Sequence, residues 1–388
     1  MILTALVKQK IFCLNHLKLM WLNNRILSSF DWINFFLTMT IALIGITFIY
    51  SATTTQTIIY STFFTKQVIG TLIGIIIYII FSYIDFRTTC RWGYFLYFIT
   101  IALLIFTIIK GNIGMGAQRW IDIKIFKFQP SELAKLFLPA FIVYYLQGEH
   151  ETAQFTFKTF IPLLVILAIS FLLILKQPDL GTALIILTSG LIMLRHAGLP
   201  KKFFLISALI GIITAPVFYK FLKPYQKKRI EVFLGAGDKQ RERYQVEQAK
   251  IAIGSGGFCG KGFSQGTQNR LAFLPERRTD FIYSVLCEEW GFIGAFFLLA
   301  LYFILIIRLL LLISTIRSFF TQLLALGLLL PILISVVVNI GMVIGLLPVV
   351  GIPLPLMSYG LSHTWITYAA LGWINNVIKH RFSISTNF

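Results

Sequence analysis

Charge is what this chain has least of. Only 13% of its 388 residues are Asp, Glu, Lys or Arg, while 57% are hydrophobic, which is too little polar material to solvate a water-borne fold. A soluble globular protein is excluded, and the chain reads as a polytopic membrane protein. Cysteine is sparse too. The four, Cys13, Cys90, Cys259 and Cys287, fall in segments that a membrane topology keeps apart, so no intramolecular disulfide is expected. The first thirty residues lack a clean uncharged core and a small-residue cleavage site, so they read as an interfacial segment rather than a removable signal peptide. No internal repeat and no appended soluble domain is evident.

A hydrocarbon core about 30 Å thick takes about 20 helical residues. Runs of that order lie near 33–51, 67–83, 93–109, 132–147, 159–175, 180–195, 202–219, 281–312, 318–346 and 361–378. The expected fold is an all-α polytopic membrane protein of about ten transmembrane helices, a single membrane domain over 1–388. The run at 318–346 is long enough to tilt or break at Pro331.

Lysine and arginine orient it. With an even number of spans both termini share a side. That side carries Lys8, Lys10, Lys18, Arg25, Arg87, Arg91, Lys158, Arg195, Lys201, Lys202, Arg308, Arg317, Lys379 and Arg381, whereas the loops 52–66, 176–179 and 347–360 hold only Lys66 and Lys176. Both termini, including the tail 1–30, are therefore expected in the cytoplasm. Two outward segments depart from the rule, as long loops do. Residues 110–131 hold Lys110, Arg119, Lys124 and Lys127, and the large loop 220–280, between helices 7 and 8, holds thirteen basic residues against six acidic ones. These are either solvated faces and contacts to anionic lipid head groups, or a place that holds phosphate. The net charge of +19 divides between the inward signal and these loops, so no nucleic acid partner is expected.

Within the large loop, Val246, Ala249 and Ile253 recur at helical spacing, so Tyr244–Ile253 is expected to be helical. The glycine-bearing stretch 254–262 follows. It is no nucleotide-binding loop, because Ser255 stands where the first glycine should and Gly262 where serine or threonine is needed. Its glycines could admit a diphosphate to backbone amides, or form a merely flexible turn.

Ionisable residues inside the membrane are costly and therefore informative. Glu132 and Lys135 lie three apart on one helix face and could pair, either to fix packing or to serve a substrate. Pro130 suits the first turn of their helix, placing Glu132 at its positive end. Glu288 and Glu289 point to different faces, and one of them is expected to face a cavity. Asp179 reads as a helix cap. Asp280 could be one as well, but Glu276, Arg277 and Arg278 crowd the same membrane-surface position, and a cap needs no such company.

These residues carry a resemblance. Gly116 to Ile121, Phe128 to Glu132 with Lys135, Gln177 to Thr182, Gln248 to Gly257, Gly266 to Gln268, Leu274 to Phe281 with Glu288 and Glu289, Gly341 to Pro355, and Ser358 to Gly360 follow one another as in the SEDS family of bacterial peptidoglycan polymerases. The chain resembles that family over roughly 33–380, and Pro348 to Pro353 favours its elongation-type branch over the division-type one. Where the family usually continues Gly-Ser after Gly360, this chain has Leu361-Ser362 and then His363.

The resemblance implies glycosyl transfer on lipid II, with release of undecaprenyl diphosphate and inversion at the anomeric carbon. It implies the bacterial inner membrane, a class B penicillin-binding protein as partner, and the elongation machinery around both. Asp280 would be the general base. Arg119, Lys135, Arg277 and Lys261, together with a divalent cation, Mg or Mn, would steady the leaving diphosphate; Glu132 would hold Lys135, and Glu276 would support the substrate. Two other classes compete: a flippase, with key charges spread through the bilayer, and a scaffold for the transpeptidase.

Overall fold

The computed structural model of the protein describes residues 30–54, 60–114, 117–122, 127–149, 155–207, 244–270, 273–274 and 276–381, with a few isolated positions between 208 and 243. The tail 1–29, half of the expected span at 202–219 and most of the first part of the large loop lie outside the described residues.

The elements run α1 (Trp32–Thr53), α2 (Thr62–Tyr83), α3 (Phe86–Lys110), β1 (Asn112–Gly114), β2 (Ala117–Asp122), β3 (Lys127–Phe128), α4 (Pro130–Glu149), α5 (Phe157–Lys176), α6 (Leu180–His196), α7 (Tyr244–Gly256), α8 (Thr267–Arg270), α9 (Ile282–Ser314), α10 (Phe319–Val343) and α11 (Leu361–Lys379). The expectation of an all-α chain needs one correction. The three strands form a small antiparallel sheet in the order β1-β2-β3 within the 110–131 segment.

Among the described residues, six helices are long and apolar enough to cross a membrane: α1, α2, α3, α5, α9 and α10. Their polarity is reversed relative to a soluble bundle. Ile69, Leu72, Ile76 and Ile80 of α2, and Ile161, Val165, Ile169 and Leu172 of α5, face outward, while Gln67, Thr71, Ser170, Gln177 and Asn339 are buried. That pattern suits lipid as solvent, where helices associate through close packing and interhelical hydrogen bonds. Tyr97 Oη meets Ser170 Oγ at 2.6 Å, Gln177 Nε2 donates to Thr107 Oγ1 at 2.7 Å, and Asn376 Nδ2 to the carbonyl of Ile84 at 2.6 Å. The less apolar α4 and α11 are shielded in the middle, with Ser131, Glu132, Lys135, Thr364, Asn375 and Asn376 all buried.

Two expected runs take a different form. Helix α10 continues through Pro331, as membrane helices tolerate, and Ser335 Oγ one turn on donates to the Pro331 carbonyl at 2.7 Å. The run at 281–312, by contrast, is broken. Gly291 has φ 64° and ψ −159° inside α9, separating a buried segment from a lipid-facing one. The break frees backbone groups, and the turn after α7 takes them up: Lys261 N–H donates to the Glu288 carbonyl at 3.0 Å and Gly262 N–H to that of Glu289 at 3.0 Å, while Phe292 N–H reaches the Gly257 carbonyl at 2.9 Å and Ile293 N–H that of Phe258 at 3.2 Å. Irregular backbone is thus buried in protein and satisfied, as the bilayer demands. This also corrects the diphosphate reading of 254–262. Gly256 and Gly260 sit against the backbone of Cys287 and Glu289, so their missing side chains serve helix contact.

Candidate active site

Five helices, α2, α4, α6, α9 and α11, begin at one end of the bundle, around a cavity of about 450 Å³. Every loop that the charge pattern put on the outward side contributes to its wall: Phe63 and Lys66, the sheet segment with Arg119, Trp120, Asp122 and Lys127, Asp179, the turn Glu276 to Asp280, and Gly351 with Tyr359. The amino ends of helices carry partial positive charge. With Lys66, Arg119, Lys127 and Arg278 they give the chamber positive positions, and the carboxylates of Asp122, Glu132, Asp179, Glu276 and Asp280 are distributed among them.

Asp280 lies in this wall, partly buried. It is not the cap of α9. Phe281 holds the capping position and no side chain caps that end. What holds Asp280 is the backbone around it: its carbonyl accepts from Asn339 Nδ2 at 2.9 Å, the Thr279 carbonyl accepts from Ser358 Oγ, and Tyr359 N–H donates to the Arg278 carbonyl at 2.9 Å. Glu276, in the left-handed region at φ 52°, closes the turn by accepting from Thr279 Oγ1 at 3.0 Å. The backbone that carries Asp280 is thus pinned from α10 and from the 347–360 loop.

Glu132 and Lys135 do pair, at 2.6 Å, and both are buried. Glu132 also lines the cavity. Its second oxygen faces His363 Nδ1 at 3.0 Å. Arg119 Nη1 lies 3.4 Å from Asp179 Oδ1, and Asp179 does cap α6, accepting from Thr182 N–H at 3.2 Å. The cap reading was incomplete, because Asp179 also accepts from Gln129 Nε2 at 2.6 Å and faces the cavity.

Arg278 stacks on Phe63, 3.9 Å from the ring centroid, in the wall shared with an adjoining cavity of about 480 Å³. Arg277 lines that second cavity and donates to the Ala52 carbonyl at 2.8 Å. Burial, and then Arg278 beside it, pull its guanidinium below the ordinary value.

Lys261 stands apart from both cavities. Its ammonium pairs with Glu288 at 2.8 Å, which also accepts from Thr267 Oγ1 at 3.1 Å and Gln268 N–H at 3.0 Å. Glu289 accepts from Ser264 N–H at 2.9 Å and from Ser51 Oγ. The two glutamates do point to different faces, but neither lines the cavity with Asp280. They bind the 255–268 segment to α9.

The structure therefore brings together Asp280, Glu132, Arg119 and Glu276, places Lys135 behind Glu132 and Arg277 next door, and leaves Lys261 elsewhere. Sequence reasoning passed over Asp122, Gln129 and His363 as site residues. Membership of the outward loops would have found the first two, and His363 stood in the departure after Gly360. Among the described residues, no group of three or more His, Cys, Asp or Glu side chains is placed to hold a metal ion.

A membrane-embedded helical bundle with an acid-and-cation chamber at one end is the architecture these observations define. The sequence pattern of the FtsW/RodA/SpoVE cell cycle proteins matches residues 31–383, and the chain belongs to that family, also called SEDS. It is 40% identical over 314 residues to the peptidoglycan glycosyltransferase MrdB of Escherichia coli K12, covering 80% of this chain and 84% of that one. It is 34% identical over 358 residues to a probable peptidoglycan glycosyltransferase FtsW of Trichlorobacter lovleyi, covering 90% and 93%. The crystal structure of the rod shape determining protein RodA of Thermus thermophilus superposes with a TM-score of 0.68 at 27% identity, over 91% of this chain and 98% of that one. A chain of a peptidoglycan synthase complex that coordinates polymerization and crosslinking superposes with a TM-score of 0.77 at 29% identity, over 91% and 99%.

Proposed function

We propose that this protein is a peptidoglycan glycosyltransferase that polymerises lipid II into glycan strands during cell-wall elongation. The observation that carries the reading is Asp280, held on a pinned turn in a chamber where helix amino ends and Lys66, Arg119, Lys127 and Arg278 converge. The carboxylate of Asp280 takes the proton of the acceptor's sugar hydroxyl as that oxygen bonds to the donor's anomeric carbon. The bond from that carbon to the lipid diphosphate breaks, and the electron pair leaves with the phosphate oxygen, inverting the centre. Base assistance of this kind is worth about 10²- to 10⁴-fold. The cations oppose the charge that develops on the leaving group. A divalent cation would have to complete its shell with the substrate's own phosphates, as magnesium commonly does, and no step here depends on it.

The chain is then one membrane domain of about ten spans in the bacterial inner membrane. The cavity end and the 220–280 loop face outward, with both termini and the tail 1–30 in the cytoplasm; the excess of lysine and arginine at the other end supports this orientation. The similarity to a chain of a synthase complex supports a class B penicillin-binding protein as partner. Glu288 and Glu289 are engaged by the 255–268 segment rather than strung along a path, which favours transfer over translocation.

Purified protein, with and without its transpeptidase partner, incubated with lipid II will give glycan chains on a gel. Asp280→Asn will give none while melting as wild type does. Polymer from Asp280→Asn removes the base assignment, and lipid II crossing vesicles without polymer points to a flippase.

A further inference from the structure

The imidazole of His363 has no part in the transfer step, yet it occupies a telling place. Glu132 presents two carboxylate oxygens at the inner wall of the cavity. Oε1 takes Lys135 Nζ at 2.6 Å, and Oε2 faces His363 Nδ1 at 3.0 Å. All three side chains are nearly buried, yet Glu132 and His363 still form part of the lining. An open carboxylate oxygen at that point would repel an incoming phosphate, because like charges at a poorly solvated wall are weakly screened. Lys135 neutralises Glu132 but occupies only one of its oxygens.

The other nitrogen, Nε2, is buried without a hydrogen-bond partner among the described residues. Beside His363 is a void of about 20 Å³ that Glu132, Lys135, Ser335 and Thr367 also line, room for about one water molecule. A water there would give Nε2 a donor and leave the ring hydrogen on Nδ1, where it can only serve Glu132.

We infer that His363 is a positioning residue for the anionic head group of the substrate: its Nδ1–H caps Glu132 Oε2, so the diphosphate meets a closed Lys135–Glu132–His363 wall instead of an exposed carboxylate oxygen. The inference rests on the substrate being a lipid diphosphate and assigns the residue that makes the wall acceptable to it.

Turnover of lipid II and affinity for undecaprenyl diphosphate are measured on the full chain with its transpeptidase partner, for wild type, His363→Ala and His363→Asn. Asparagine offers an amide N–H close to where Nδ1 stands. His363→Ala will raise KM and weaken diphosphate affinity about tenfold, the lower end of what a hydrogen bond to a charged group is worth, with kcat unchanged. His363→Asn will restore most of the loss. In a Glu132→Gln background, His363→Ala will leave diphosphate affinity unmoved, because no charge remains to be capped. If His363→Ala does not fold, His363→Leu, which fills the site without donating, replaces it.

Unchanged KM and affinity, an equal loss in the Glu132→Gln background, or a fall in kcat alone overturns the inference and leaves the proposed transferase standing. Wild type that binds the lipid diphosphate but makes no polymer overturns the transferase and leaves the wall. Absence of binding by every variant overturns both.

Discussion

Replacing Lys261 by methionine separates a substrate role from a structural one. Glu288 is fully buried, and its carboxylate accepts from Lys261 Nζ at 2.8 Å, Thr267 Oγ1 at 3.1 Å and Gln268 N–H at 3.0 Å. Removing one partner of a buried ion pair costs about 3–5 kcal/mol because the other charge stays behind. Two neutral donors remain here, and the Lys261 side chain is 26% exposed, so the loss falls to about 2–3 kcal/mol. Measured in detergent at one fixed scan rate, the apparent Tm of Lys261→Met will drop by about 5 °C. Lys261→Met combined with Glu288→Gln will recover a good part of it, since the stranded charge is gone. KM for lipid II, measured below the melting range, will stay at the wild-type value because Lys261 does not line the cavity. A raised KM with unaltered melting would refute this reasoning and return Lys261 to the substrate site.

Gly291→Ala will destabilise the protein by more than the about 1–3 kcal/mol that such a backbone conformation costs a residue with a side chain, because the new Cβ would stand 2.7 Å from the Phe258 carbonyl oxygen and 2.8 Å from the Cys259 carbonyl carbon; wild-type melting would show that the break in α9 is not needed. Asp179→Ala will cost about 1–2 kcal/mol through loss of the α6 cap and will raise KM by releasing Arg119 and Gln129. Asp179→Asn will keep most of the stability but still raise KM, and if both variants match wild type in kinetics, the Asp179–Arg119 pair has no part in the site.

Much of the fold was legible in the sequence because lipid imposes length and polarity rules on each segment separately. The runs at 33–51, 67–83, 93–109, 159–175 and 361–378 lie within α1, α2, α3, α5 and α11. The helix expected at Tyr244–Ile253 is α7, and Pro130 opens α4. Two misreadings share a cause. The 281–312 run looks continuous because hydrophobicity carries no record of where a carbonyl finds its partner, and only the facing turn 257–262 makes a break at Gly291 tolerable. The glycines of 254–262 invited an anion for the same reason, since a missing Cβ admits phosphate and a helix backbone equally well.

Composition, span lengths and the placement of lysine and arginine, properties of residues counted along the chain, were enough to define the solvent, the helical class and the segments that share one side. Asp280 could be singled out the same way, since its company of Glu276, Arg277 and Arg278 is local. Which of these side chains meet was decided by tertiary structure alone: His363 reaches Glu132 across 231 positions, and Asn339 holds the Asp280 carbonyl across 59. A hydrogen bond depends on ångström-scale direction and distance, and helix packing sets these only once the whole bundle has closed.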